Sequence, residues 1–388
     1  MSIPVQKQEA IYRLLQRHLD KQSVGFPATQ SGADIRFLKT MFTPDEARVA
    51  LKLSYQPTPH NQVIAGAAGD FSAEETVTLL ESAFKKGAIG WKLKDGVPHW
   101  YVMPVVIGMY EAQDGNPSRG FLAVAGAYMQ TMAYGKSFLS VKPSQMRTIP
   151  IRKSVTVEHH IAAYDEIRSL VAASGGPFVV LNCICREAQR IQGKPCKQTS
   201  RLETCLGMGD MAAMTLRRNH GRKIFADEAL AILRQNENEG LVLQPANEQK
   251  AEFVCSCCGC CCGMLRVQKM LPHPVHFWTS NFHASVKADS CIRCGVCVKR
   301  CQVNALELKE PSGGAHINLN KCIGCGLCVP VCPKKAISLI KKMRETVPPK
   351  NEEELFDTIK ANRKDGLAQL WMLLRILLRS GKHSVGNR

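Results

Sequence analysis

The chain has 388 residues, 45% of them hydrophobic, and a formal charge of +18. That length predicts two to four domains, no apolar run reaches the roughly 18–20 residues of a membrane-spanning helix, and Met1 to Ala10 shows no apolar stretch behind a basic start, so no secretory leader is read. Residues 287–345 hold 11 Lys/Arg against 4 Asp/Glu, which points to an acidic partner or an anionic surface rather than to nucleic acid.

In chain order, residues 6–21 read as a short amphipathic helix. Thr43-Pro-Asp-Glu is a helix start, with Thr43 as cap, Pro44 at the first position and Glu46 three after the cap. A second helix is expected at about 61–68. A third is capped by Ser72 with Glu75 three residues on, and Val77, Leu79, Leu80 and Phe84 form its apolar face. Gly90 to Val102 alternates around Asp95-Gly96, a hairpin signal. Three helices and a hairpin imply a winged-helix-like domain over 1–150. Its third helix carries Glu74, Glu75 and Glu81 against Lys85 and Lys86, a poor charge pattern for a DNA groove. A structural or docking role is therefore expected.

Residues 157–173 read as helical, Phe178 to Leu181 as a short buried strand, and 226–239 as a helix ending near Gly240, before Leu241-Val-Leu. Gly207-Met-Gly-Asp-Met-Ala212 fits a dinucleotide pattern on paper. No clear strand is read ahead of it, so it is taken as a helix start or cluster packing. Gly135-Lys-Ser lacks the upstream glycine of a P-loop, and no C-x3-C-x2-C run exists. His159, His160, His273, His276 and His283 are read as surface or packing residues.

All eighteen cysteines lie between Cys183 and Cys332. Cys291, Cys294, Cys297 and Cys301 have the spacing C-x2-C-x2-C-x3-C, and Cys322, Cys325, Cys328 and Cys332 repeat it. Three closely spaced thiolates cap three irons of a cubane, and the fourth cysteine of each run serves the other cluster. The expected ligand sets are Cys291, Cys294, Cys297 and Cys332 for one [4Fe-4S] cluster, and Cys322, Cys325, Cys328 and Cys301 for the other. Gly295, Gly324 and Gly326 would let backbone N–H groups approach the sulfurs. Ala305 to Leu308 and Ala336 to Leu339 are the matching strands. Gln302 stands where the motif usually has proline. Fully ligated irons leave no open position, so this region suits electron transfer rather than substrate chemistry.

Ten cysteines precede that motif: Cys183, Cys185, Cys196, Cys205, Cys255, Cys257, Cys258, Cys260, Cys261 and Cys262. Six within eight residues cannot all reach one metal, and a loop around Gly259 would supply one to three ligands. A third iron–sulfur cluster is the first expectation. A zinc site, partly free thiols or a redox-active dithiol pair are the alternatives. Arg186 and Glu187, beside the first cysteines, would tune a nearby centre or pair with each other.

Cys183-Ile-Cys-Arg-Glu-Ala, Leu202-Glu-Thr-Cys-Leu-Gly-Met-Gly-Asp and Cys255-Ser-Cys-Cys-Gly-Cys-Cys-Cys-Gly resemble fragments of dicluster ferredoxin-domain proteins from anaerobic bacteria. Phe42-Thr-Pro-Asp-Glu-Ala and Gly90-Trp-Lys-Leu are similar too, so the resemblance spans about 35–345. It implies electron transfer beside an anaerobic redox enzyme and does not name the partner.

From about Asp365 to Ser380 a basic amphipathic helix is expected. Leu367, Leu370, Trp371, Leu374, Leu377 and Leu378 share one face. Its apolar core, Leu367 to Leu378, is about 18 Å long, too short to cross a bilayer. It would pack on its own protein, dock on a partner subunit or lie on the inner face of the membrane.

The fold class expected is α+β in four parts: a winged-helix-like domain (1–150), a cysteine-rich α/β metal-binding domain (151–286), a ferredoxin domain (287–345) and a tail (346–388). The expected function is a cytoplasmic electron-transfer subunit of an oxidoreductase system, working with a protein redox partner that offers an acidic docking surface. The alternatives are a redox-sensing winged-helix transcription regulator and an enzyme whose middle cluster has an open iron.

Overall fold

The computed structural model describes residues 5–115, 117–308 and 314–364, with 368, 369 and 371. The tail helix expected over 365–380 therefore lies almost wholly outside the described residues. Helices and strands are mixed, as an α+β chain requires. No helix among the described residues is long and apolar enough to cross a membrane.

The N-terminal third holds helices Val5–Asp20, Ala33–Met41, Pro44–Ala50, His60–Ala67 and Ala73–Lys85, with strands β1 (Thr58–Pro59), β2 (Ile89–Lys94) and β3 (Val97–Val102) in the order β1-β3-β2. Both expected capping boxes form. Thr43 Oγ1 accepts from Glu46 N at 3.2 Å while Thr43 N donates to the Glu46 carboxylate at 2.7 Å. Ser72 and Glu75 repeat this at 3.2 and 2.8 Å, so each helix start keeps its orphan N–H groups satisfied. Asp95 and Gly96 both take positive φ, 50° and 76°, the geometry that matches a two-residue hairpin loop to strand twist. Leu80 and Phe84 bury fully with Phe37, Leu38 and Trp100 in the largest core.

The middle third is built on one antiparallel sheet. Its strands are β4 (Phe178–Asn182), β5 (Glu203–Met208), β6 (Arg222–Ile224), β7 (Val242–Pro245) and β8 (Phe253–Cys257), in the order β6-β4-β5-β8-β7. Side chains alternate between faces along each strand. Val180, Leu206, Leu243 and Val254 face one core with helices Ile167–Ser174 and Ala226–Glu239. Val179, Leu181, Cys205 and Phe253 face the other, with Cys183 and Cys255. The helix expected over 157–173 is overturned. Only Ile167–Ser174 is α-helical, after short 3-10 turns at Val157–His159 and Ala163–Asp165. Tertiary contacts override the periodicity there: Asp165 is buried against Arg147 at 2.6 Å and accepts from Asn281 at 2.8 Å.

The last third contains β9 (Phe282–Val286), β10 (Leu306–Leu308), β11 (Ala315–Ile317) and β12 (Ile337–Lys341). β9 pairs antiparallel with β12, and β10 with β11. An extended segment stitches this part to the middle sheet. Arg147 N and Ile149 N donate to Pro245 and Leu243, Thr148 N to Thr279 O, and Ile151 N to Cys325 O, all at 2.8–3.2 Å.

Helix Glu352–Ala361 returns to the N-terminal third. Tyr55 Oη and Gln56 Nε2 donate to Asp357 at 2.9 and 2.7 Å, and Lys94 pairs with Glu353 at 2.6 Å. Lys92 is buried among Glu352, Glu353 and Asp210 at 3.3, 3.4 and 3.7 Å. Nearby, burial first and the Glu352 charge second push the Glu252 carboxyl from its ordinary 4.5 up to about 8. An acid with a raised folded pKa holds its proton in the folded state while the unfolded chain has already released it. Its stabilising contribution is complete below about 4.5 and lost as pH rises to about 8. Glu252→Gln is thus expected to flatten the fall in stability between pH 5 and 8. Anoxic denaturant titrations at several pH values measure this, and parallel wild-type and variant curves would exclude it.

Candidate metal centres

The two halves of the cysteine repeat fold alike. Asn304 and Lys335, each three residues past the fourth cysteine of its run, both take left-handed φ, 54° and 49°. This turns the chain so that Ala305 N donates to Cys301 Sγ and Ala336 N to Cys332 Sγ, both at 3.2 Å. The first cysteine of each run receives a donor from a strand: Ala315 N to Cys291 Sγ at 3.3 Å, and Ala284 N to Cys322 Sγ at 3.4 Å.

Two cavities result. One is lined by Cys291, Cys294, Cys297 and Cys332. The other is lined by Cys322, Cys325, Cys328 and Cys301. Each thus gathers three thiols from one run and the fourth from the other. Residues 284–340 match the 4Fe-4S dicluster domain family. No curated protein and no solved structure matches the chain.

The two cavities of the dicluster domain differ in environment. The first lies near the surface: Cys294 is exposed, and N–H groups of Ala315 and Arg293 hold the Cys291 thiol below its ordinary range. The second is interior. Burial pushes the Cys325 thiol up to about 12. Gly324 passes so close to β9 that a Cβ there would stand 2.2 Å from Phe282 O, which no side chain tolerates.

The ten middle cysteines divide into two groups. Six form a closed circuit of neighbouring thiols, running Cys183, Cys185, Cys262, Cys257, Cys255, Cys205 and back to Cys183. Strand pleating puts Cys255 and Cys257 on the same face of β8, and β5 brings Cys205 alongside. The other four are Cys196, Cys258, Cys260 and Cys261, whose sulfurs all lie within 4.8 Å of one another. The loop around Gly259 therefore gives three thiols to each of two groups, beyond the one to three expected for a single centre. The loop turns sharply, with Cys262 N donating to Cys258 O at 3.1 Å, which turns Cys258, Cys260 and Cys261 toward Cys196 and leaves Cys257 and Cys262 with the six-thiol circuit.

Arg186 sits between the groups and is almost completely buried. Nη1 donates to Thr204 Oγ1 at 2.5 Å and Nη2 to Ser256 O at 2.7 Å. Among the described residues its Nε has no hydrogen-bond partner. Its charge acts on Cys183, Cys258, Cys205 and Cys196, thiols of both groups. A buried cation with an unused donor fits an anionic metal–thiolate assembly beside it. Glu187 points elsewhere, accepting from Gly115 N at 3.1 Å and Asn182 Nδ2 at 3.3 Å. Arg186 is thus turned to the thiols and not to Glu187.

Gln302, the departure from the usual proline, has a structural reason. Its Oε1 accepts from Gly259 N at 2.9 Å, joining the Cys301 turn to the middle cysteine loop. A Cβ on Gly259 would lie 2.1 Å from Gln302 O, so only glycine fits. The missing proline was the one sequence signal for this contact.

Gly207-Met-Gly-Asp-Met-Ala212 does sit at a strand–helix junction, contrary to expectation, since β5 precedes helix Gly209–Arg217. Yet Met211 N donates to the Glu252 carboxylate at 3.2 Å. An acidic side chain already fills the position a phosphate would take. His159 packs as expected, its Nε2 at 2.9 Å from Leu339 O.

Proposed function

We propose that the chain is an iron–sulfur electron-transfer protein serving an oxidoreductase system, anaerobic by its resemblance. Cys291, Cys294, Cys297 and Cys332 hold one [4Fe-4S] cluster, Cys322, Cys325, Cys328 and Cys301 the second, and the six-thiol circuit a further iron–sulfur centre. The observation that carries the reading is the pair of cavities, each lined by three thiols of one run and one of the other. Bound clusters of this type supply one-electron transfer at potentials set by hydrogen bonds to sulfur and by exposure. The backbone N–H groups of Ala284, Ala305, Ala315 and Ala336 are among the donors on these sulfurs.

Around exposed Cys294, the apolar side chains Ile292, Val296 and Leu308 reach solvent, and Lys287, Lys299, Lys334 and Lys335 are exposed on the same small domain. Exposed apolar side chains on a lysine-rich domain, with Lys334 lining the Cys294 cavity itself, favour docking of a partner with an acidic surface. Inward, Cys255, Cys257 and Cys262 share one apolar cluster with Val303, Cys322 and Cys328, giving continuity from the dicluster domain to the six-thiol circuit. The winged-helix-like N-terminal unit serves as a scaffold. Lys92 and Lys94 of its hairpin are already engaged by acidic side chains, and Glu81 of helix Ala73–Lys85 pairs with Arg217, which leaves the DNA-regulator reading without support.

Full-length protein prepared without oxygen is expected to hold more than about eight irons and to take electrons from reduced methyl viologen. Cys205→Ser should lower the iron content while the dicluster signals persist in electron paramagnetic resonance. Failure to accept viologen electrons would end the relay reading. Eight irons or fewer, with the six thiols free or zinc-loaded, would remove the further iron–sulfur centre.

A further inference from the structure

We propose that Cys196, Cys258, Cys260 and Cys261 bind a single Zn2+ ion, separate from every iron–sulfur centre of the chain. Zinc held by four cysteines has metal–sulfur distances of about 2.3 Å, which places tetrahedral sulfurs about 3.8 Å apart. Cys196 Sγ stands 3.6 Å from Cys258 Sγ and 3.7 Å from Cys260 Sγ, and Cys260 Sγ stands 3.7 Å from Cys261 Sγ.

The same chain provides the contrast. The dicluster cysteines line common cavities, yet among the described residues no three of them have sulfurs mutually within 4.8 Å, and neither do any three of the six-thiol circuit. Thiols that each cap a different iron must stand wider apart than thiols that share one ion. Among the described residues the quartet alone brings more than two sulfurs mutually within 4.8 Å.

Local chain geometry supports the site. Cys258-Gly-Cys260-Cys261 places Cys258 and Cys261 at the C-x2-C spacing of zinc turns. Lys197 N donates to Cys260 Sγ at 3.5 Å and Gln198 N to Cys196 Sγ at 3.4 Å, the backbone bonds that settle thiolate charge and orient ligands. Arg186 adds a buried positive charge acting on Cys258 and Cys196. Four thiolates leave zinc no open position, so its role is structural. It would pin the segment between helix Ile184–Ile191 and β5, which has no regular secondary structure, onto the loop that Gln302 ties to the dicluster domain.

The test uses the full chain, prepared without oxygen with iron and zinc both supplied. One zinc per chain is expected, with four sulfur neighbours at about 2.3 Å in zinc-edge X-ray absorption. Cys196→Ser should lose that zinc and leave iron and labile sulfide unchanged. Cobalt loaded in place of zinc should show tetrahedral thiolate bands that the variant lacks. Wild-type protein with only trace zinc, or with mononuclear iron in the quartet, would overturn the proposal. So would a Cys196→Ser protein that loses iron and sulfide together. If the variant does not fold, absorption on the wild type still decides. Zinc is counted independently of iron, so this result stands apart from the fate of the electron-transfer reading.

Discussion

Cys332→Ser is expected to cost the full-length protein about four irons and four sulfides, and the loss should fall on the cluster of the other cysteine run. Cys332 lies in the second run, yet its thiol lines the cavity of Cys291, Cys294 and Cys297. Its Sγ is fixed there by the Ala336 N–H at 3.2 Å. The hydroxyl of serine is a harder and poorer ligand for iron than a thiolate. Pairs of replacements identify which cluster is lost. Cys297→Ser added to Cys332→Ser should cost nothing more, because both act on one site. Cys325→Ser added to Cys332→Ser should remove the four irons of the second dicluster site as well, leaving only the iron of the middle region. The reverse pattern in iron and sulfide counts would refute the crossed ligand sets.

Arg186→Met is expected to be among the most damaging single changes outside the cysteines. The guanidinium is buried, donates to Thr204 and Ser256, and acts on thiols of both middle groups. Methionine has similar length and no charge. The change would strip the Thr204 hydroxyl and the Ser256 carbonyl of a donor and leave buried thiolate charge uncompensated. Removing one partner of a buried charge pair costs about 3–5 kcal/mol. The variant should unfold at lower guanidinium under anoxia and lose middle-region metal while the dicluster iron stays. Arg186→Lys should fall between, since it restores charge without the two-pronged contact. Wild-type stability and full metal content in Arg186→Met would show that the guanidinium does not serve the thiols.

The sequence by itself determined the parts whose geometry is local. The capping boxes at Thr43 and Ser72, the Asp95-Gly96 hairpin and the helix ending at Gly240 are decided within a few residues by backbone sterics and orphan N–H groups. Three of the four thiols at each dicluster cavity belong here too, because C-x2-C-x2-C brings them together within one short loop, while the fourth crosses from the other run. Tertiary structure decided the rest. Cys257 and Cys258 are adjacent in sequence, as are Cys261 and Cys262, yet each pair is split between two groups. The split depends on the pleat of β8, on the tight loop at Gly259 and on the distant strand carrying Cys205, none of which spacing encodes. The apolar pattern over 157–173 reads as one helix because periodicity carries no knowledge of Asp165 being drawn to Arg147 and Asn281. Arg186 likewise had two plausible partners in sequence, and only the fold, by burying it between two sets of thiols, gave it one.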